Sequence, residues 1–406
     1  MWSVGKAVVS ARSDLVAAQH VDAAAIGADV LTAGGNAVDA ALATSLALTV
    51  LEPWMSGLGG GGFMVVAKGD GAPPAVIEFG MRRVADQGKL SSQFGAITDL
   101  LREASYMAGQ AGASVVSRVH VEQALEARIF RANRVEEKIR ELITEGTVLI
   151  DTDESRVGQV NGLAVLQLGD HTFGRPSRVT ATVSMGRSGI VNIEREAKLS
   201  GSTHDKGVLI LSGYLRQMYA QDKPLTLSAS LCFEQSYSGI DGDSASSTEL
   251  FVLLSRLANL PVRQDLAVTG SVNQAGDIQA IGGVNEKIEG FYDVCKERGL
   301  TGTQGVIIPH ANVRNLMLRA DVVEAIRAGQ FHVYPITHVD QGLALLTGVP
   351  AGEPETPDTV HGMVNTRLKQ LAQDMTAFGD ASHNGARPPA ETTVEDETPR
   401  PPSPLP

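Results

Sequence analysis

The run Gly242-Asp-Ser-Ala-Ser246 places one serine, Ser244, in a turn of small residues that leads into a helical pattern over Thr248 to Leu257. A turn of this kind exposes a hydroxyl beside backbone N–H groups at a helix N-terminus, as an acyl-transfer nucleophile and its oxyanion hole require. Gly-Asp-Ser is also a common loop or helix-cap sequence, so the turn alone leaves both readings open. Other hydrolytic plans find less. GxSxG is missed by one residue, Ser246 standing for Gly, and that elbow would need a preceding strand and a later Asp and then His. The nine His residues include no HExxH, which leaves a metalloprotease little support. Cys232 and Cys295 lie 63 positions apart without a CxxC, a pattern that suggests neither a disulfide framework nor a thiolate zinc site. Gly57, Gly59 and Gly62 fit GxGxxG, but they follow a helical pattern and open a strand-like one, the reverse of a dinucleotide fingerprint.

A second string, Gly282-Gly-Val-Asn-Glu-Lys287-Ile-Glu-Gly290, begins 38 residues after Ser244, and Ala267-Val-Thr269-Gly-Ser-Val272 lies between them. Together the three motifs resemble the proteolytic domain of Lon-type proteases, in the Lon-like branch with the GDSAS form. The spacings fit that family: 25 from Ser244 to Thr269 and 43 from Ser244 to Lys287. The resemblance covers about residues 94–350, through stretches such as Gly158-Gln-Val-Asn-Gly-Leu163, His204-Asp-Lys-Gly-Val208 and Gly305-Val-Ile-Ile-Pro309. It implies a Ser-Lys dyad: Ser244 as nucleophile, Lys287 as general base, Thr269 orienting the amine, and the Asp243 and Ser244 N–H groups as oxyanion donors.

A lysine at its ordinary pKa of about 10.4 cannot serve as a base near neutrality and must be lowered toward roughly 7–8. Burial among Ala267, Val268, Ile281 and Val284 is the expected means. Asp241, Asp243 and Glu286 would oppose it, so they are expected to face solvent or other partners. Lys206, His204 and Glu194 are read as structural, and Ser246 and Ser247 as turn and helix-start residues.

The elements that must position these residues form an α+β domain over residues 148–350. Strands are expected at Val148 to Ile150, Gly162 to Leu168, Ser177 to Ser184 and Gly189 to Ile193, with a helix at Lys206 to Tyr219. A helical segment over residues 81–147 precedes it and resembles the lid that follows an AAA+ motor. Residues 1–80 contain two helical runs, Asp14 to Thr32 and Ala37 to Leu51, joined by Gly34-Gly35-Asn36, and then the strand-like Phe63 to Ala67. With Glu52-Pro53 and Ser56 to Gly62, this part resembles the start of the γ-glutamyltransferase family, an αββα fold, over about residues 4–79. That family's nucleophile is a Thr in a Thr-Thr-His pattern; here the nearest string is Ser202-Thr203-His204. The join is expected near Gly80 to Leu90. Residues 351–406 hold 9 of the 18 prolines and are expected to be disordered apart from a helix at Met363 to Met375.

A net charge of -12 argues against nucleic acid or an anionic membrane as partner. The longest apolar run, Ala40 to Leu51, is 12 residues, short of a membrane span, and no signal peptide is visible; the chain is expected to be cytoplasmic. Both Gly-Lys pairs are followed by Ala or Leu, so no Walker A motif occurs. ATP and Mg belong to the family's motor, and no cofactor is expected for these residues. The resemblance implies unfolded or misfolded proteins as substrates and a homo-oligomer, usually a hexameric ring. The alternatives are a catalytically silent ring or scaffold subunit and a γ-glutamyl-transferring enzyme.

Overall fold

The computed structural model describes residues 16, 18, 20–52, 73–169, 171–237 and 239–383. The chain divides into two compact units, residues 1–77 with 93–125 and residues 78–92 with 126–406.

In the first unit α1 (Val21–Thr32) and α2 (Ala37–Leu51) form the expected hairpin. Gly34 turns the chain at φ 92°. The Asn36 carboxamide accepts from the Val38 and Asp39 N–H groups while Asp39 accepts from the Asn36 N–H, a reciprocal cap. α1 begins at Val21, later than the expected Asp14; residues 14 and 15, the glycine run 57–62 and the strand-like 63–67 lie outside the described residues. Residues 73–82 form α3 (Pro73–Arg82), whose two leading prolines occupy positions where a helix needs no N–H donor. α4 (Phe94–Gln110) buries Leu100, Ala104 and Ala108, one stripe at four-residue spacing, and α5 (Arg118–Ala132) follows. Both α3 and α5 cross the division between units.

The second unit continues with α6 (Arg134–Thr144), β1 (Ser155–Val157), β2 (Gln159–Leu168), β3 (His171–Ser184), β4 (Gly189–Asn192), α7 (Ile193–Glu196), α8 (Ser202–Tyr219) and β5 (Ser228–Phe233). It goes on through α9 (Ser246–Ala258), β6 (Pro261–Arg263), β7 (Leu266–Val268), β8 (Ser271–Val272), β9 (Ile278–Gln279), α10 (Val284–Arg298) and β10 (Gly305–Pro309). α11 (Ala320–Arg327), β11 (His332–Ile336), α12 (Val339–Thr347) and α13 (Val360–His383) complete it. Seven strands form one mixed sheet in the order β11-β10-β7-β2-β3-β5-β4. β2–β3 and β3–β5 are antiparallel, whereas β7 runs parallel to both β10 and β2.

Alternation along the strands builds two cores, because successive side chains leave opposite faces of a sheet. Leu266, Val268 and Ile307 join a cluster with Phe251 of α9 and Leu211 of α8; Ala267, Val306 and Ile308 join one with Ile288 and Phe291 of α10. The sheet is thus sandwiched between α9 and α10, the helices that follow Ser244 and carry Lys287.

Two expectations are corrected. Val148 to Ile150 is not a strand: Ile150 packs with Ile143 and Val294, and the Leu149 N–H donates to the Gln235 side chain, so the β-branched run is a plug beneath α6 rather than a sheet member. Residues 351–383 are ordered structure: α13 extends well beyond Met363 to Met375 and sets Val360, Val364, Leu368 and Leu371 into the α9-side core. The Pro-rich composition that suggested disorder belongs mainly to residues 384–406, which lie outside the described residues.

Candidate active site

Lys287 Nζ lies 2.9 Å from Ser244 Oγ and 3.1 Å from Thr269 Oγ1. Three residues far apart in sequence therefore meet within hydrogen-bond reach, and each arrives by a separate local device.

Ser244 stands two residues before α9, and the first turn of that helix is stitched to β7 and the chain beyond it. The Gly270 N–H donates to the Ser244 carbonyl at 2.9 Å, and Ser247 donates to the Gly270 carbonyl through both its N–H and its hydroxyl. Thr248 Oγ1 donates to the Val268 carbonyl, and Ser246 Oγ accepts from the Val272 N–H. The ladder fixes the register between the Ser244 turn and Thr269, whose hydroxyl also donates to the Ser244 carbonyl at 3.3 Å.

Lys287 is placed by a close approach of α10 to β3. A Cβ on Gly174 would stand 1.9 Å from the Glu286 carbonyl oxygen and 2.8 Å from Lys287 Cα, and one on Gly290 would stand 2.2 Å from the Gly174 oxygen. Only glycine fits at either contact. The Lys287 N–H donates to the Gly283 carbonyl one turn back, with Gly283 in the left-handed region that starts the helix.

Lys287 is 2% exposed and Thr269 1%. Burial disfavours the ammonium form and lowers the Lys287 pKa to about 8, against an opposing pull from Asp243 and Glu286. Of the residues expected to supply the apolar surround, Ala267, Val284 and Ile281 lie in the α10-side cluster, whereas Val268 turns to the other face and packs with α9. That correction follows from strand alternation: residues 267 and 269 share a face, and 268 does not.

The acids have other partners in part. Asp243 Oδ2 accepts from Ser271 Oγ at 2.9 Å. Asp241 is exposed and accepts from the Gly242 N–H, with the Thr203 and His204 backbone also favouring its charge; the Gly242 bond leads in holding its pKa below the usual carboxylate range. Glu286 is half-buried. Among the described residues, the Asp243 and Ser244 N–H groups have no acceptor in the protein.

Lys206 is exposed. His204 and Glu194 are buried below the Ser244 turn with Asn192 and Glu249, two residues the sequence reasoning did not single out. A glutamate in the first turn of an apolar helix was the available signal. Ser246 and Ser247 sit at the start of α9, as expected, and their hydroxyls serve the ladder.

Residues 235–347 match the Lon protease (S16) C-terminal proteolytic domain, and residues 70–131 the archaeal LonB AAA+ ATPase lid domain. A gamma-glutamyltranspeptidase match covers residues 23–95 and overlaps the lid match over 70–95, around the stretch where the sequence suggested a join. A putative Lon protease homolog of Escherichia coli is 39% identical over 312 residues, covering 76% of this chain and 52% of that protein. One from Haemophilus influenzae is 39% identical over 254 residues, 62% of this chain and 42% of its own length. The archaeal Lon protease of Thermococcus kodakarensis is 27% identical over 288 residues, 66% and 40%. The chain spans about half the length, or less, of these relatives.

Proposed function

From the Lon-type C-terminal proteolytic domain that this chain carries, we propose that it is a serine endopeptidase that cleaves unfolded or damaged proteins through Ser244 and Lys287. The observation that supports this best is a nearly inaccessible lysine amine 2.9 Å from one serine hydroxyl and held by a threonine.

In the proposed cycle the neutral Lys287 amine takes the proton of Ser244 Oγ as that oxygen attacks the scissile carbonyl. The N–H groups of Asp243 and Ser244 receive the negative charge on the carbonyl oxygen. Lys287, now protonated, delivers its proton to the departing amine, and the peptide remains as an ester on Ser244. A water then enters, Lys287 takes its proton, and a second tetrahedral intermediate collapses to release the acid and restore the Ser244 hydroxyl. Thr269 Oγ1 orients the amine throughout, the role a third group plays behind a catalytic base. A pKa of about 8 leaves roughly 10% of the lysine neutral at pH 7, against under 0.1% at the ordinary value.

None of these steps consumes a nucleotide or needs a metal, so peptide hydrolysis itself is proposed to need no cofactor. Assembly into a homo-oligomeric ring, a cytoplasmic location and ATP-driven delivery of substrate are proposed from the family resemblance; among the described residues no helix is long and apolar enough to cross a membrane.

The test is hydrolysis of casein by wild type and Ser244→Ala, with and without ATP. Cleavage lost by roughly 10³-fold or more in the variant and indifferent to ATP is expected. Folded oligomers without cleavage in either would replace the enzyme with a scaffold, and turnover of a γ-glutamyl amide would overturn the assignment.

A further inference from the structure

Beneath the nucleophile turn lies a buried polar cluster that the proposed chemistry does not use. Asn192 ends β4, Glu194 lies on α7, His204 opens α8 and Glu249 lies on α9; all four side chains are at most 3% exposed. The Arg195 N–H donates to Asn192 Oδ1 at 2.9 Å, which fixes the orientation of the amide. Asn192 Nδ2, a donor only, then faces His204 Nε2 at 3.2 Å and Glu249 Oε1 at 3.2 Å. His204 Nε2 must therefore accept. The ring is therefore neutral, with its hydrogen on Nδ1 and the Gly242 backbone facing it.

No imidazolium is left to balance Glu249. Its Oε1 is 3.5 Å from His204 Nε2, longer than a charge-assisted bond, and its Oε2 has no partner among the described residues. The other acid in the cluster, Glu194, accepts the Phe233 N–H at Oε1 at 2.7 Å, a closer donor than Glu249 has, while its Oε2 is likewise without a partner among the described residues. Two adjacent buried carboxylates without a cation are too costly to coexist as anions.

We propose that Glu249 is carried as the neutral carboxylic acid and that the Glu249–Asn192–His204 cluster is a positioning unit for the Gly242–Ser244 turn, so that loss of the Glu249 proton uncouples the turn from the fold. The chain entering that turn is joined to the start of α8, since the Gly201 N–H donates to the Ile240 carbonyl and the Ile240 N–H to the Leu199 carbonyl, both at 2.8 Å, and His204 faces the Gly242 backbone beside them. An anionic Glu249 would draw a proton onto His204 Nε2, and Asn192 Nδ2 cannot donate to a protonated nitrogen. The ring would turn away and the clasp on Gly242 would open.

The groups facing the cluster agree in sign. Glu194, Asp205 and Asp241 surround His204, and Glu194 also faces Glu249 and Cys232. Burial leads in pushing the Glu249 pKa up to about 8, with Glu194 adding to it, and burial leads in pushing His204 down.

The positioning role rests on the peptidase reading, whereas the protonation state does not, so the test separates them. Wild type and Glu249→Gln are compared over pH 5 to 10 for casein hydrolysis, thermal midpoint and the infrared carbonyl band of a protonated carboxylic acid. Wild type should show the band at pH 7 and lose it near pH 8, and the variant should lack it. The midpoint of the variant should gain on wild type as pH rises from 5 to 8 and hold a constant lead above. In hydrolysis the variant should keep the acidic limb set by Lys287 and lose the alkaline fall that wild type shows. Absence of the band in wild type at pH 7 would overturn the proposal even if the variant failed to fold. A shared alkaline fall in both proteins would overturn the positioning role, and absence of hydrolysis in both, with the band intact, would strike the peptidase reading alone.

Discussion

Lys287 is a group whose usefulness and stability are opposed. Its folded pKa is lowered from 10.5 to about 8, with burial the leading cause, and the unfolded chain therefore binds the proton more tightly. The resulting penalty is fully present below pH 8 and disappears as pH rises through 8 toward 10.5, because there the unfolded state still holds a proton that the folded state has lost. Two and a half pKa steps correspond to about 3 kcal/mol. Lys287→Met should therefore abolish hydrolysis yet stabilise the protein by about 1–3 kcal/mol at neutral pH, the lower end allowing for hydroxyls of Ser244 and Thr269 left unpaired. Denaturant unfolding at pH 7 and pH 10 should show that advantage shrinking at the higher pH. Lys287→Arg should be equally inactive, since a guanidinium keeps its proton, and casein hydrolysis by wild type should rise from pH 6 to a maximum near 8 and fall beyond it, whereas Glu249→Gln should rise through a midpoint near 8. A wild-type rate that stays flat from pH 6 to 9 would remove Lys287 as the base.

At the scale of elements, the site depends on how closely α10 approaches β3. A methyl on Gly174 would overlap the Glu286 carbonyl and press on Lys287 Cα, both of them backbone and unable to swing aside. Gly174→Ala should cost about 1–3 kcal/mol in stability and, because a shift of about 1 Å in a reacting group can cost some 10²-fold, should lower casein hydrolysis far more than the stability loss explains. Measuring the rate at a temperature where the variant is fully folded separates the two effects.

The same contact shows what the sequence could and could not tell. Ser244, Thr269 and Lys287 could be singled out because spacing along one chain carries a family's register, and the helix after Ser244 was legible from its pattern, whereas the helix that carries Lys287 was not named from the sequence. Gly174 was not singled out, since it fell between the expected strands Gly162 to Leu168 and Ser177 to Ser184 and nothing local says which element comes close. Val268 was placed with Lys287 because its neighbours in sequence belong there; only the strand assignment of residues 266–268 shows that it turns the other way. Glu249 was not singled out, because its burial is created by α7 and α8, which the local pattern does not contain.

At the scale of the whole molecule, α13 is where composition misled most, and it is a structural member of the second unit. Its apolar residues Val360, Val364, Leu368 and Leu371 recur at steps of four, four and three, a helical stripe that the neighbouring prolines obscured. All four are at most 3% exposed and pack in the cluster that contains Leu250 to Leu254 of α9, the helix that Ser244 precedes. Its start is also pinned. His361, fully buried, receives the Tyr219 hydroxyl at one ring nitrogen and meets Asp340 at the other at 3.0 Å. Burying four aliphatic side chains contributes up to about 6–12 kcal/mol, comparable to the whole stability of an ordinary domain. Leu368→Ala should therefore cost about 2–5 kcal/mol, a fall of roughly 5–15 °C in the thermal midpoint, and removal of residues 360–406 should leave the chain without a cooperative transition. If α13 only decorated the surface, both changes would leave the midpoint within about a degree of wild type, and differential scanning calorimetry of the full chain beside the two variants distinguishes these outcomes. Hydrolysis should fail together with the calorimetric transition, since α9 has α13 along its flank and continues directly from the Ser244 turn.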